Sequence, residues 1–386
     1  SVLKKFSRKY RFTSKLSDTY RLYYGSMSPC VFDIETTGLG GGQNTSRVIL
    51  TAMLIPTDDG IEVTQFLAEQ PFEEDRVLQA TMDYFDEKGI EFFVTYNGTS
   101  FDIPFTNKRL DALHLPYQLR MHNLDLYSWI KRNTTLPGQL SSLTQKSVEH
   151  YFHMSDDRID VISGKESVKL YYEYATSHSG MLEKVILTHN REDVVQLYRI
   201  LQRIFSEESE PLLRKKNIHE AMTTYGFPLS PKAPLTLQPK ISGKNLLIRG
   251  AQHCTIQEMT DFQRKSQDSA HKGPANKSCV YYDDAELPFP MNAAIFPDAA
   301  SPLQADFRAK TSDFQISLPL ESYGNSLYAD LTLLSFTGEE KAQLKELKGY
   351  VNDYLILQEE GNTSFLEMNV LSRAISSNIV KRIRTF

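Results

Sequence analysis

The chain has 386 residues, of which 40% are hydrophobic and 24% charged, and its formal net charge is −5. This composition is that of an ordinary soluble globular protein, and the length predicts two domains. No apolar run approaches the roughly 20 residues that span a bilayer, so we expect no membrane contact. The N-terminus lacks an apolar stretch after its basic residues, so we expect no signal peptide. The negative charge argues against a module that only binds nucleic acid, because such modules are usually basic.

The cysteines are three in number: Cys30, Cys254 and Cys279. Their odd number and wide spacing match neither a disulfide framework nor a zinc site. Thiols of this kind fit a reducing compartment, and we therefore expect a cytoplasmic protein.

Residues 1–27 form a basic and aromatic N-terminal leader. Its first 24 residues hold seven Lys or Arg side chains against Asp18 alone, with six aromatic side chains between them. Such a mixture could grip phosphates and stack bases. A strand-like segment that covers one edge of the core is the alternative interpretation, and the sequence does not separate the two.

The pattern of residues 28–205 predicts strands first and then alternating strands and helices. This order indicates an α/β domain with a mixed sheet flanked by helices. The predicted strands are Val31–Glu35, Val48–Ile55, Ile61–Leu67 and Ile90–Tyr96. The predicted helices are Phe72–Glu87, one that begins near Ser100, Leu124–Lys131, Ser141–Tyr151, Lys165–Thr176 and Gly180–Phe205.

Residues 206–234 predict a linker, because acidic residues and then Pro228, Pro231 and Pro234 interrupt regular structure. Residues 235–386 predict a β-rich accessory domain with a C-terminal helix at Thr363–Arg384. Its predicted strands are Leu235–Ile241, Asn245–Arg249, Cys279–Tyr282, a strand of alternating apolar residues from Phe314 to Leu320, Leu327–Leu334 and Tyr350–Leu357. Arg264–Ser278 is polar and predicts a loop.

The first motif is FDIETTG at residues 32–38. Asp33 and Glu35 are two residues apart on a predicted strand, so both carboxylates point to the same face. Burial of two unpaired negative charges is costly, and a bound cation would offset that cost. Hard cations such as Mg²⁺ take carboxylate, water and phosphate oxygens as ligands.

The second motif is YNGTSFD at residues 96–102. A strand is predicted to end here, and a turn that contains glycine places Asp102 at the start of a helix. Asp102 by itself could be only a favourable acid at a helix N-terminus. Asn97 could orient a substrate or cap the turn.

The third motif is HNREDVV at residues 189–195, within a predicted helix. Positions i and i+4 share a helix face, so His189 and Asp193 project together. Glu192 is rotated away from them and is expected to be a solvated charge. Each motif alone occurs by chance, but the three together, in this order and on these elements, predict a catalytic site.

These motifs resemble the exonuclease motifs of the DEDD superfamily, and in particular the bacterial ribonuclease-H-like proteins of the YprB type. The resemblance covers about residues 28–205, with support from the stretches Leu39–Gly42 and Leu140–Leu143. It implies a ribonuclease-H-like fold with a five-stranded mixed sheet. It also implies that four carboxylates are metal ligands and that His189 lies near the attacking water; the four are Asp33, Glu35, Asp102 and Asp193. Thr36 and Asn97 are the predicted substrate-binding residues.

The third motif departs from the superfamily pattern in the position of its histidine. The histidine branch places this residue five positions before the last Asp, whereas the tyrosine branch places a Tyr four positions before it. His189 lies four positions before Asp193, and the interval from Asn97 to Asp102 also matches the tyrosine branch. With an unperturbed pKa near ~6.5, His189 could accept the water's proton, or it could only position that water.

The motifs and the resemblance predict metal-dependent hydrolysis of phosphodiester bonds with two Mg²⁺ or Mn²⁺ ions. Asp33 is expected to bridge both ions, Glu35 and Asp193 to complete one coordination shell, and Asp102 the other. The family expectation is a 3′-5′ exonuclease that acts on a single-stranded 3′ end. The sequence separates neither DNA from RNA nor exo from endo action, and it names no protein partner.

Two alternatives remain for the chain. A catalytically silent module that binds nucleic acid could use the same fold, although the presence of all four carboxylates argues against it. The β-rich half could be a platform for protein partners. Because residues 235–386 contain no motif typical of a catalytic site, binding or clamping of the substrate is the favoured role for this half.

Overall fold

The computed structural model describes residues 3–11, 13, 16–38, 46–159, 162–229, 234–253, 294–295, 303–306 and 314–384. The described residues form two compact units, one up to residue 214 and one from residue 215 onward. Several features of the sequence analysis lie outside the described residues: the stretch Leu39–Gly42, Pro231, Cys254, the strand Cys279–Tyr282 and the loop Arg264–Ser278.

The first unit contains a six-stranded mixed sheet with the strand order β1-β4-β3-β2-β5-β6. Its strands are β1 (Lys4–Arg11), β2 (Pro29–Thr36), β3 (Val48–Thr57), β4 (Gly60–Leu67), β5 (Phe92–Thr95) and β6 (His122–Asp125). Strand β2 is antiparallel to β3 and parallel to β5, and β5 is parallel to β6. The α/β prediction is confirmed.

The sheet differs from its predicted form at both edges. The sequence pattern predicts that Leu124 and Asp125 lie in a helix, but they end β6, and the helix begins at Leu126. At the other edge, β1 pairs with β4 along its whole length, which adds a sixth strand to the five that the resemblance implies.

The N-terminal leader is part of this unit's fold. The β1 side chain of Lys4 forms ion pairs with Glu69, at 3.0 Å, and with Glu183. Helix α1 (Asp18–Tyr24) follows and buries three tyrosine rings in the core: Tyr20, Tyr23 and Tyr24. The strand-like alternative therefore describes how the leader folds.

Helices cover both faces of the sheet. The helices after α1 are α2 (Glu74–Glu87), α3 (Asp102–Ala112), α4 (Leu126–Asn133), α5 (Leu136–Gln139), α6 (Gln145–Tyr151), α7 (Gly164–Ser177) and α8 (Gly180–Ile204). The apolar stripe of α2 packs with Cys30, Phe32 and Ile34 of β2 into one core. On the other side, Tyr171 of α7 and Ile186 of α8 pack into a second core with β3 and β4. Strand β2 is therefore flanked on both sides.

The second unit is built from antiparallel sheets and a C-terminal helix, which confirms the predicted β-rich architecture. One sheet has the order β10-β11-β12-β9-β8-β7, and the other contains β13 to β17. The strands are β7 (Phe227–Pro228), β8 (Leu235–Ser242), β9 (Asn245–Gln252), β10 (Ala294–Ile295), β11 (Gln304–Asp306), β12 (Phe314–Pro319), β13 (Glu321–Tyr323), β14 (Ser326–Asp330), β15 (Tyr350–Val351), β16 (Tyr354–Glu359) and β17 (Asn362–Thr363). The helices are α9 (Ile218–Tyr225), α10 (Gly338–Lys345) and α11 (Phe365–Arg384).

Three boundaries in this unit differ from the predictions. Helix α9 lies inside the predicted linker, because Asn217 caps its N-terminus and Met222 is buried. The predicted strand Leu327–Leu334 ends at Asp330, whose side chain caps a short 3-10 helix. The predicted strand Tyr350–Leu357 is divided into β15 and β16 by a turn of two residues with positive φ, Asn352 and Asp353.

No helix among the described residues combines the length and the apolar character needed to cross a membrane.

Candidate active site

The alternation of side chains along β2 separates the core from the candidate site. Phe32 and Ile34 belong to the core on the α2 side of the sheet. The carboxylates of Asp33 and Glu35 point to the opposite side, where they meet residues of α8. The two carboxylates thus share one face of the strand, as the spacing of the first motif predicts.

A sharp turn after β5 brings Asp102 beside β2. Asn97 adopts a φ of 61°, and a Cβ on Gly98 would lie 2.3 Å from the Thr95 hydroxyl oxygen, so only glycine fits there. The buried carboxylate of Asp125 accepts hydrogen bonds from the backbone N–H groups of Asn97, at 2.8 Å, and of Thr99, at 3.1 Å.

Asp102 begins α3 and is tied directly to the first motif. Its Oδ1 accepts a hydrogen bond from the backbone N–H of Ile34 at 3.2 Å. Ile34 is the residue between Asp33 and Glu35, so Asp102 lies beside both carboxylates. Strands β2 and β5 are parallel, and their carboxyl ends therefore meet at the same edge of the sheet.

Helix α8 supplies the third part of the site. The Nε2 atom of His189 lies 3.7 Å from Oε1 of Glu35 and 3.6 Å from Oδ2 of Asp193. One possible ligand atom from each of these three residues lies within 4.8 Å of the others. His189 and Asp193, the i, i+4 pair of the third motif, thus face the carboxylates of the first motif.

Two buried amide side chains that the sequence motifs do not reveal, Asn190 and Gln65, hold Asp33 in place, and we call them the amide relay. The Nδ2 of Asn190 donates a hydrogen bond to Oδ2 of Asp33 at 2.8 Å. In turn, the Nε2 of Gln65 donates to Oδ1 of Asn190 at 2.9 Å and to the carbonyl oxygen of Leu187 at 3.0 Å. Gln65 lies on the same face of β4 as Val63 and Leu67, and a polar residue on this apolar face is the signal in the sequence that could have revealed it.

The pKa values of the clustered carboxyl groups are raised. Burial, followed by the charges of neighbouring acids, raises the pKa of Asp33 well above its usual range. Burial also raises the pKa of Glu35 to about 8, although the nearby His189 opposes this shift. The pKa of Asp102 is raised to about 7, again mainly by burial. Burial, together with the charges of the neighbouring acids, therefore opposes ionisation of the cluster.

The donor set of the site fits a divalent cation. Among the residues that the structure describes, Glu35, His189 and Asp193 are close enough to share one ion. Carboxylate oxygens with one imidazole nitrogen suit Mg²⁺ or Mn²⁺, and a cation there would lower the raised pKa values. Asp33 and Asp102 lie outside this group of three but interact electrostatically with it.

The remaining predicted residues have other surroundings. Thr36 is buried, and its hydroxyl donates a hydrogen bond to the carbonyl oxygen of Gly38 at 3.0 Å, so this hydroxyl stabilises the turn after β2. Asn97 is half-buried at the turn before α3. Glu192 does not fit the prediction of a solvated charge, because it is only 8% exposed on the packed side of α8.

Comparisons with known proteins cover the first unit. Residues 30–205 match the family model described as RNase_H superfamily. A curated protein of Bacillus subtilis (strain 168), named uncharacterized protein YprB, is 28% identical over 186 residues, which are 47% of this chain and 43% of that protein. The match thus spans less than half of that relative's length.

A solved structure is also similar to part of the chain. It is the family B DNA polymerase of the hyperthermophilic archaeon Pyrobaculum calidifontis, with 20% identity and a TM-score of 0.38. The similarity covers 46% of this chain and 24% of the polymerase chain.

Proposed function

Because residues 30–205 match the RNase_H superfamily and form a ribonuclease-H-like domain, we propose that this chain is a metal-dependent nuclease. It would hydrolyse phosphodiester bonds of DNA or RNA as a 3′-5′ exonuclease. The observation that carries this proposal is the convergence of five side chains from β2, α3 and α8 at one edge of the sheet: Asp33, Glu35, Asp102, His189 and Asp193. The polarity and the preference for a single-stranded 3′ end rest on the resemblance of the three motifs alone.

The carboxylates would hold one or two divalent cations, Mg²⁺ or Mn²⁺. When bound, these cations supply a Lewis acid for the phosphate and lower the pKa of a bound water. Glu35, His189 and Asp193 are grouped closely enough for one ion. Asp33 shares the face of β2 with Glu35, and Asp102 lies beside both, so these two residues would add carboxylate oxygens for a second ion.

The protein's own groups would prepare the site for this chemistry. The amide of Asn190 fixes the direction of the Asp33 carboxylate, and the backbone N–H of Ile34 does the same for Asp102. The buried Nε2 of His189 is turned toward two carboxylates, so it would either be a ligand of the cation or, when it is not coordinated, orient an attacking water or accept its proton. Preorganised donors of this kind lose little energy to rearrangement during the reaction.

The test is a time course of cleavage followed on denaturing gels. Single- and double-stranded DNA and RNA, labelled at the 3′ or 5′ end, are incubated with Mg²⁺, Mn²⁺ or chelator. Asp33→Asn is expected to reduce the rate by more than about 100-fold, since even partners of metal ligands contribute 10–100-fold. Asp86→Asn, on the exposed side of α2, is the matched control and should leave the rate unchanged.

Each outcome separates the candidate activities. A metal-dependent ladder that shortens from the 3′ end, and is absent with Asp33→Asn, would support the exonuclease and identify its substrate. Internal cuts in a circular substrate would instead indicate an endonuclease on the same site. Tight binding of nucleic acid without cleavage of any substrate would favour the catalytically silent module.

A further inference from the structure

A buried ion pair that none of the three motifs contains reaches the candidate site. The guanidinium of Arg158 contacts Oδ1 of Asp193 through Nη2 at 2.6 Å. Its Nη1 donates to both carboxylate oxygens of Glu149 on α6, at 2.9 and 3.1 Å. The side chains of Arg158 and Glu149 are only 7% and 1% exposed.

Helix α6 also holds the backbone of Asp193. The Nε2 of Gln145 donates to the carbonyl oxygen of Asp193 at 2.9 Å and to Oε1 of Glu149 at 3.0 Å. Residue 193 is thus held through its carbonyl oxygen by Gln145 and through its carboxylate by Arg158. Both contacts depend on residues of α6 and of the short segment that follows it.

The contact fixes which oxygen of Asp193 faces the site. Oδ1 is engaged by Arg158, whereas Oδ2 lies 3.6 Å from Nε2 of His189. A charge-assisted hydrogen bond to one carboxylate oxygen restrains the direction of the other. The guanidinium of Arg158 also contacts the buried Glu149, so two carboxylates share its positive charge.

We propose that Arg158, held in place by Glu149, is a positioning residue that orients Asp193 toward the divalent cation. The inference rests on the proposed function, because it assigns a partner to one of that site's metal ligands. Groups that hydrogen-bond to metal-ligating carboxylates fix ligand geometry, and their loss typically costs 10–100-fold in metal affinity or activity.

The experiment measures Mn²⁺ affinity by electron paramagnetic resonance titration of the full chain, in the absence of nucleic acid. Arg158→Gln is expected to raise the Mn²⁺ dissociation constant by about 10–100-fold. Glu149→Gln should weaken binding in the same direction, because Arg158 loses its anchor. Arg132→Gln, at an exposed position of α4, is the matched control and should bind Mn²⁺ like the parent chain.

A second readout separates a positioning role from a general loss of structure. Circular dichroism is recorded on each variant, and Arg158→Lys keeps the charge without the planar fork that spans two carboxylates. An intermediate Mn²⁺ affinity for Arg158→Lys with an unchanged spectrum supports positioning. Rates of nucleic-acid cleavage by Arg158→Gln should also recover toward the parent rate as Mn²⁺ is raised to saturation.

The alternatives give different results. An unchanged Mn²⁺ affinity in Arg158→Gln overturns the inference, and if the KM for oligonucleotide rises at the same time, Arg158 contacts phosphate instead. Tighter Mn²⁺ binding also overturns it, since Arg158 would then compete with the cation. If the parent chain cleaves nothing but Arg158→Gln weakens its Mn²⁺ binding, only the proposed function fails. If the parent chain binds no Mn²⁺, both fail.

Discussion

The carboxylates of β2 lie in an environment that opposes their ionisation. Asp33 and Glu35 are packed between α8 and the sheet. The negative charges of Asp102 and Asp193 raise the pKa of both carboxyl groups further. Hydrogen bonds from Asn190 and Ile34 offset only part of this cost, because they reach Asp33 and Asp102 and leave Glu35 beside His189. Such clusters of raised pKa values are typical of functional sites.

The raised pKa of Glu35 predicts how stability depends on pH in the absence of metal. In the unfolded chain this carboxyl titrates near ~4.3, whereas in the folded protein its pKa is about 8. Between these values the folded state retains a proton that the unfolded state has lost, so the free energy of unfolding falls as pH rises from about 4 to about 8. Chemical unfolding in chelator at pH 5.5 and pH 8 measures this fall.

Variants test whether Glu35 causes this fall in the free energy of unfolding. Glu35→Gln should be more stable than the parent chain at pH 8 in chelator, by on the order of 1–3 kcal/mol, and should show a smaller fall with pH. Asp111→Asn, at an exposed position of α3, should keep the parent's dependence. Mg²⁺ should stabilise the parent more at pH 8 than at pH 5.5, because protons compete with the cation. If the free energy of unfolding falls equally with pH in Glu35→Gln and in the parent chain, Glu35 does not titrate in this range.

The turn between β5 and α3 is the element that sets the position of Asp102. It combines a left-handed residue, Asn97, with a glycine packed against Thr95, and the carboxylate of Asp125 binds its backbone N–H groups. The same carboxylate caps the N-terminus of α4 through Tyr127 and Ser128. One buried acid therefore joins this turn to the next helix.

Gly98→Ala tests the role of this turn. The new methyl group would meet the Thr95 side chain well inside contact distance, so we expect a loss of about 1–3 kcal/mol of unfolding free energy, as for other overpacked sites. Mn²⁺ binding should weaken as well, because Asp102 follows the turn. Gly138→Ala is the control, since a Cβ there meets nothing within 4 Å.

Urea unfolding at fixed pH measures the effect of Gly98→Ala. Thr95→Ala combined with Gly98→Ala should recover part of the lost stability, because it removes the atoms that the new methyl group meets. If Gly98→Ala is as stable as the parent and binds Mn²⁺ equally well, the turn tolerates a side chain and does not constrain Asp102.

Each of the two units has its own core. The first is organised around the six-stranded sheet, and all five candidate site residues lie within it. The second packs apolar residues of β8, β9 and β12 and the buried face of α11, for example Leu237, Ile248, Ile316 and Leu371. A ligand that binds to one unit should therefore act on the stability of that unit.

The chain's one tryptophan allows this expectation to be measured. Trp129 is fully buried in α4 of the first unit, so its fluorescence reports the unfolding of that unit. Mg²⁺ at about 100 times its dissociation constant should stabilise the tryptophan-detected transition by about 2.7 kcal/mol. The transition of the second unit, followed by far-ultraviolet circular dichroism, should occur under the same conditions with and without Mg²⁺.

Asp33→Asn controls for effects of salt, because it should abolish the shift of the tryptophan-detected transition. If Mg²⁺ moves both transitions of the parent chain equally, the two units unfold as one cooperative body. If it moves neither, the first unit holds no cation under these conditions.

The sequence by itself determined the features that depend only on residues close together along the chain. The fold class follows from the order of apolar patterns. The shared face of Asp33 and Glu35 follows from the two-residue period of a strand, and that of His189 and Asp193 from the helical repeat. These relations hold because backbone geometry fixes side-chain direction over a few residues.

Tertiary structure alone decided the features that join distant segments. The contact of Arg158 with Asp193 spans 35 residues, and the amide relay from Gln65 to Asn190 spans 125. No periodic pattern encodes such pairs, since they arise only when α6, α8 and β4 pack together. The same reason explains the end of β6, where local pattern assigned Leu124 and Asp125 to a helix. His122–Asp125 is extended because it pairs with β5, and its hydrogen bonds come from a partner strand.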